Sequence, residues 1–244
     1  MSPRITLAVT VRVLNQLRRD HRTMGMLLVV PALLLTLLWW MFEEMPGDFF
    51  DAFGPALLAL FPFIIMFLVT SVTTLRERSS GTLERLLSMP MGKLDFLLGY
   101  ALAFGLVAAL QSGIAVAVCV GLLGLDVQGP VWLLTVVAVG DALLGSTLGL
   151  FVSAFAQTEF QAVQFMPAIV LPQILLCGLF VPRESLPDVL EAISDVLPLS
   201  YAVDAMQELT ASTDPAVWGD LGIVMAFVLG ALVLGAATLR RRTA

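Results

Sequence analysis

The chain has 244 residues, of which 59% are hydrophobic and only 13% charged, where a soluble domain carries about 25% charged residues. Mean hydropathy is +0.95, and the formal charge of −6 sums 19 acids and 13 bases. These values exclude a soluble globular domain and offer nothing to nucleic acid; they describe an all-α polytopic membrane protein, read here as a single unit over residues 1–244.

Residues 3–22 admit two readings. Ile5, Leu7, Val9, Val11 and Val13 alternate as in a strand, whereas Ile5, Val9, Val13 and Leu17 form a helical stripe. Arg4, Arg12, Arg18, Arg19 and Arg22 lie among them, and a basic amphipathic segment next to a membrane favours an interfacial helix, so 1–23 is predicted as one. His21, the only histidine, faces lipid headgroups in that reading.

Six apolar runs follow, at 24–42, 54–75, 96–123, 131–155, 162–181 and 218–239. Each is long enough for a helix to cross about 30 Å of hydrocarbon. No small-residue cleavage site follows the first run, so the start does not read as a secretory signal peptide. Six crossings return both termini to one side. Twelve of the thirteen basic residues fall on that side, and only Arg183 lies opposite. The positive-inside rule therefore predicts cytoplasmic termini. The opposite loops carry acids instead: Glu43, Glu44, Asp48, Asp51 and Asp126.

Between the second and third runs lies a polar stretch, residues 76–91, reading RERSSGTLERLLSMPM. Charge of this density must leave the hydrocarbon. Leu83, Leu86 and Leu87 make one apolar stripe, Gly81 serves as N-cap with Glu84 at the third helical position, and Pro90 ends the pattern. A short amphipathic helix held at the end of a span is predicted. The string E-R-x-x-G-T-L-E-x-L-L-x-x-P at 77–90 resembles the cytoplasmic segment of ABC type-2 exporter permeases, among them the daunorubicin-resistance and the nodulation or polysaccharide export permeases. That resemblance implies a coupling helix within 76–92, docking on a separate ATPase through Glu77, Arg78, Gly81, Thr82, Leu83, Glu84, Leu86 and Leu87.

The fourth run holds Gly145 and Gly149 at GxxxG spacing, a close-packing device, and Asp141, the one ionisable residue near the middle of a span. An intramembrane acid is a functional candidate by default; the other reading is a neutral carboxyl bonded to Gln111 or Gln173. Pro167 and Pro172 predict a kinked or broken fifth span. In the segment 183–217, Leu186, Val189, Leu190, Ile193, Val196 and Leu197 share one helical face, and a second short helix spans about 202–209. Two amphipathic helices at the outer surface are predicted. Cys177, Gly178, Leu179, Phe180, Val181 and Pro182, then Pro198, Leu199, Ser200, Tyr201 and Gln207, extend the resemblance, with Cys177 where serine is commoner in the family.

No P-loop is present: Gly92-Lys93 is the only Gly-Lys pair and lacks both the upstream glycine and the following hydroxyl. Serine proteolysis fails as well, since Ser146 and Ser153 have only His21 as a base, at the membrane edge. Cys119 and Cys177 lie in apolar runs without metal-ligand spacing and read as buried thiols. The chain is thus not predicted to be an enzyme, nor to bind a cofactor. The resemblance implies an inner-membrane exporter permease for a hydrophobic drug, lipid or glycan cargo. It further implies an ABC ATP-binding subunit that uses ATP and Mg, and a second permease subunit, identical or paralogous. It also implies that Phe61, Phe63, Met66, Asp141, Gln164, Phe165 and Gln173 line a translocation route or a subunit interface. The alternatives are a proton-coupled secondary transporter using Asp141 and a non-transporting membrane scaffold; the absence of an inverted repeat counts against the former.

Overall fold

The computed structural model describes residues 2–44, 49–80 and 92–238. All regular structure among them is helical: α1 (Pro3–Arg19), α2 (His21–Phe42), α3 (Phe49–Ser79), α4 (Lys93–Gly121), α5 (Val131–Val152), α6 (Glu159–Leu176), a 3-10 turn (Arg183–Ser185), α7 (Asp188–Ser194), α8 (Pro198–Ala211) and α9 (Trp218–Thr238). Six of these, α2 to α6 and α9, are long and apolar enough to cross a membrane. The chain is a multi-pass membrane protein, and the helical alternative for residues 3–22 is the one adopted.

The bundle is built around α3 and α5, which run side by side. A Cβ on Gly145 would lie 2.3 Å from the Phe63 carbonyl oxygen, and one on Gly149 would lie 2.3 Å from that of Phe67. The GxxxG spacing therefore does what it is suited to do, since only glycine lets the two backbones approach this closely. Around this seam Phe63, Phe67, Leu134, Leu144 and Leu58 are fully buried. A second core joins α1, α2 and α4 through Val9, Val13, Leu17, Leu27, Tyr100 and Phe104, with Met66 of α3.

α3 has 31 residues, about 46 Å of helix at 1.5 Å per residue. That exceeds the hydrocarbon thickness, so its last turn, with Arg76 and Arg78, projects beyond it. α6 stays helical through Pro167 and Pro172, without a break at either, and both rings are exposed. It also stops at Leu176, five residues before the predicted 181, and the chain turns at Gly178, whose φ of +89° favours glycine.

The segment after α6 is helical, but its second helix is not a surface element. Leu199, Ala202, Val203, Ala205, Met206 and Leu209 of α8 are all fully buried, packed on α3, α5 and α9. The sequence contrast on α8 is weak because small alanines, Ala202 and Ala205, fill a third of these inward positions. α7 differs, since Val189 and Ile193 on its apolar stripe, and Val196 just after it, remain exposed.

Candidate functional site

The arginine-rich end of the bundle gathers α1, the end of α3 and the starts of α4 and α6. α1 is fastened here at both stems of the segment 81–91. On the entry side, Arg12 Nη2 donates to Glu77 Oε1 at 3.0 Å. On the exit side, Asp95 Oδ1 accepts from the Ser2 amide at 2.9 Å and from Thr6 Oγ1 at 3.3 Å. Its other oxygen accepts from the Gly92 amide at 3.1 Å, closing the first turn of α4. One turn further, Thr10 Oγ1 donates to the Gly99 carbonyl at 3.1 Å, and a Cβ on Gly99 would collide with Val9 at 2.6 Å. α3 is tied to α6 as well, by a two-pronged pair from Arg76 to Glu159 at 2.7 and 2.9 Å.

Glu77 is 4% exposed and turned towards α1. Its Oε2, Arg12 Nη1 and Arg78 Nε and Nη2 are buried without a hydrogen-bond partner among the described residues. The resemblance implied that Glu77 contacts the ATPase; here Glu77 pairs inside the chain with Arg12, because α1 covers the face of α3 on which it lies. Arg78 is half-buried. Gly81, Thr82, Leu83, Glu84, Leu86 and Leu87 lie outside the described residues.

The residues expected along a route or interface do not form one surface. Phe63 and Met66 are fully buried in the two cores of the chain itself, Phe61 and Phe165 are half-buried, and Gln164 is exposed on α6. Gln173 is buried, donates to the Ile169 carbonyl at 3.1 Å and accepts from the Leu199 amide at 3.4 Å, which ties α6 to α8. Asp141 is fully buried, and neither carboxyl oxygen has a hydrogen-bond partner among the described residues. Gln111 is equally buried and equally unpartnered, so the suggested bond from Asp141 to Gln111 or Gln173 is not made.

At the acidic end, Arg183 is a hub. Its guanidinium donates to Asp204, to Asp195 at 2.5 Å and to Ser194 Oγ at 2.9 Å, and it lies 5.1 Å from the centre of the Tyr201 ring. Ser194 Oγ in turn donates to the Leu176 carbonyl at 2.8 Å. Burial acts to lower the Arg183 pKa, but Asp204 and Asp195 outweigh it and hold the group above its ordinary value. The same burial pushes the Asp204 carboxyl up, against the pull of Arg183. The lone basic residue of that side thus clasps α7 and α8 to the end of α6.

Sequence reasoning missed Arg12, Asp95, Gly99 and Glu159. Only Asp95 had a local signal, as an acid in the first turn of a helix that opens at Gly92.

The sequence profile of the ABC-2 type transporter family matches residues 5–210. A probable multidrug ABC transporter permease, YbhR of Escherichia coli, is 31% identical over 172 residues, covering 68% of this chain and 46% of that protein. The inner membrane transport permease YhhJ of the same species is 26% identical over 147 residues, 60% of this chain and 39% of YhhJ. ABC transporter G family member 20 of Dictyostelium discoideum is 24% identical over 163 residues, 67% of this chain and 22% of that protein. The chain spans less than half the length of these relatives. A match over most of its residues, on a bundle of six membrane-crossing helices, shows that the chain belongs to the ABC-2 type transporter family.

Proposed function

We propose that the chain is the membrane-spanning subunit of an ATP-driven exporter in the cytoplasmic membrane, with both termini in the cytoplasm. A separate ABC ATPase subunit supplies the energy, and a second permease subunit, identical or paralogous, completes the pathway. Relatives named as multidrug permeases support a hydrophobic drug or a lipid as the cargo, with a glycan as the remaining candidate. The observation that carries the reading is the way α1 grips both stems of the segment 81–91, through Glu77 on one side and Asp95 on the other. A push on that segment is then passed to α3, α4 and α1 together and not lost in a loose loop. Leu83, Leu86 and Leu87 supply the apolar ridge of the docking surface, Glu84 sets its register, and Glu77 acts through Arg12.

The test is co-purification of the tagged chain from its native membrane, with ATPase activity assayed on whatever follows it. A stoichiometric P-loop partner, lost on Glu84→Lys while membrane insertion persists, supports the reading. A chain that purifies alone and without ATPase activity sinks it. The buried, unpartnered Asp141 favours a second reading, proton-coupled transport, which requires that transport follow a proton gradient in the absence of ATP.

A further inference from the structure

We propose that the exposed face of α1, continued by Arg22 in the first turn of α2, is a binding surface for the headgroups of anionic phospholipids, formed by Arg4, Arg18, Arg19 and Arg22 around an apolar patch of Leu7 and Val11.

The first observation is placement. α1 begins beside Asp95, where α4 starts, and ends one residue before α2 starts at His21. Both ends are therefore held where membrane-crossing helices begin, so the helix lies along the bilayer surface and not away from it. The second is the division of its faces. Thr6, Val9, Thr10, Val13 and Leu17 are buried, whereas Arg4, Leu7, Val11 and Arg18 follow one another at helical spacing on the exposed face. Leu7 is 62% and Val11 48% exposed. An apolar centre flanked by arginines is what a helix in the membrane interface requires: the side chains enter the acyl boundary while the guanidinium groups stay at phosphate level.

The third observation is charge accounting at this end of the bundle. Each acid described there is already engaged: Asp20 caps α2 by accepting from the Thr23 amide and hydroxyl, Glu77 holds Arg12, Asp95 holds Ser2 and Thr6, and Glu159 holds Arg76. Arg4, Arg18, Arg19 and Arg22 are exposed and form no ion pair among the described residues. Unlike Arg78, which is half-buried, they stand open to an outside anion. A guanidinium offers forked donors suited to phosphate, and basic clusters next to a membrane span attract anionic lipid. The competing occupant is an acidic surface of a protein partner; Leu7 and Val11, set among the arginines at bilayer level, favour lipid.

The experiment uses the full chain in mixed micelles of phosphatidylglycerol and phosphatidylcholine at equal mole fraction. Lipid retained after detergent washing is measured by mass spectrometry. The expected result is enrichment of phosphatidylglycerol by several-fold, collapsing as salt rises from 0.1 to 1 M and the screening length falls from about 10 Å to about 3 Å. Replacing all four (Arg4→Gln, Arg18→Gln, Arg19→Gln, Arg22→Gln) should abolish the enrichment, and the four Arg→Lys changes should retain most of it. The salt series on the unaltered chain needs no variant to fold. Equal retention of both lipids by the unaltered chain overturns the proposal. So does a quadruple glutamine variant that keeps its enrichment, or one that instead loses a bound protein partner.

Discussion

Arg12 reaches Glu77 at 3.0 Å, joining the helix that precedes the first membrane crossing to the last turn of the second. The carboxylate is almost wholly buried while the guanidinium is one-third exposed. Removing the cation leaves Glu77 unpaired in a poorly hydrated position. Arg12→Ala should therefore destabilise by about 1–3 kcal/mol, short of the full cost for a completely buried pair because water still reaches one partner. Arg12→Glu with Glu77→Arg should recover part of the loss. Thermal unfolding in detergent, followed by size-exclusion fluorescence, reads both, and additive losses in the double variant would show that the pair is not coupled.

The seam between α3 and α5 gives a second prediction. Gly145→Val drives a branched side chain into the Phe63 carbonyl, which cannot yield without moving the helix, and should cost roughly 3 kcal/mol or more. Gly113 in α4 has nothing within 4 Å of a would-be Cβ, so Gly113→Ala should be neutral or stabilise by up to about 1 kcal/mol. Yield of monodisperse protein after heating compares the two; equal behaviour would show that close approach at Gly145 does not limit stability.

Arg183 serves three acceptors at once, which an ammonium on a flexible stem cannot reproduce. Arg183→Lys should thus loosen α7 and α8 nearly as much as Arg183→Gln. Hydrogen exchange over residues 188–211 should rise in both variants and stay unchanged in α5. A lysine variant protected like the original chain would show that charge alone, without the fork, holds the clasp.

Asp20 accepts from the Thr23 amide at 3.1 Å and from its hydroxyl at 2.6 Å. These bonds hold the carboxyl below its ordinary value. A group whose folded pKa lies below its unfolded value, about 3.9 for aspartate, contributes stability above that value and loses it as pH falls through the folded pKa. Asp20→Asn should remove that part of the acid sensitivity while preserving most of the cap. Melting profiles from pH 6 to pH 3 test it, and parallel profiles for the two proteins would contradict it.

Asp141 separates two accounts of transport. If the buried carboxyl is structural, Asp141→Asn should keep ATP-driven export and change stability by no more than about 1 kcal/mol. If it carries protons, the same change should abolish transport while leaving the fold intact. Export assayed in inverted vesicles, with and without ATP, distinguishes the outcomes.

The six crossings were legible because hydropathy over some twenty residues is a local property, and the two glycines because their spacing is local too. What escaped was non-local. Nothing near Glu77 announces that a helix 65 residues earlier will cover it, so a charged residue beside a charged loop reads as surface. α8 was misjudged for a related reason: alanines that read as filler on an isolated helix are what let it sink among α3, α5 and α9. The prolines of α6 pointed to a kinked or broken helix; no break occurs, and the helix runs from Glu159 to Leu176 through both.

The tie between Ser2 and Asp95 spans 93 positions, and that separation sets an order of events during synthesis. At 5–20 residues per second, the first helix must wait roughly 5–20 s after it emerges before Asp95 and Gly99 exist to receive it. Its stripe of Val9, Val13 and Leu17 lacks Phe96, Tyr100 and Phe104 of α4 in that interval. The first helix of this chain is thus made well before the crossing that seats it, and the arrival of the third crossing is the step that commits this end of the molecule to its final shape.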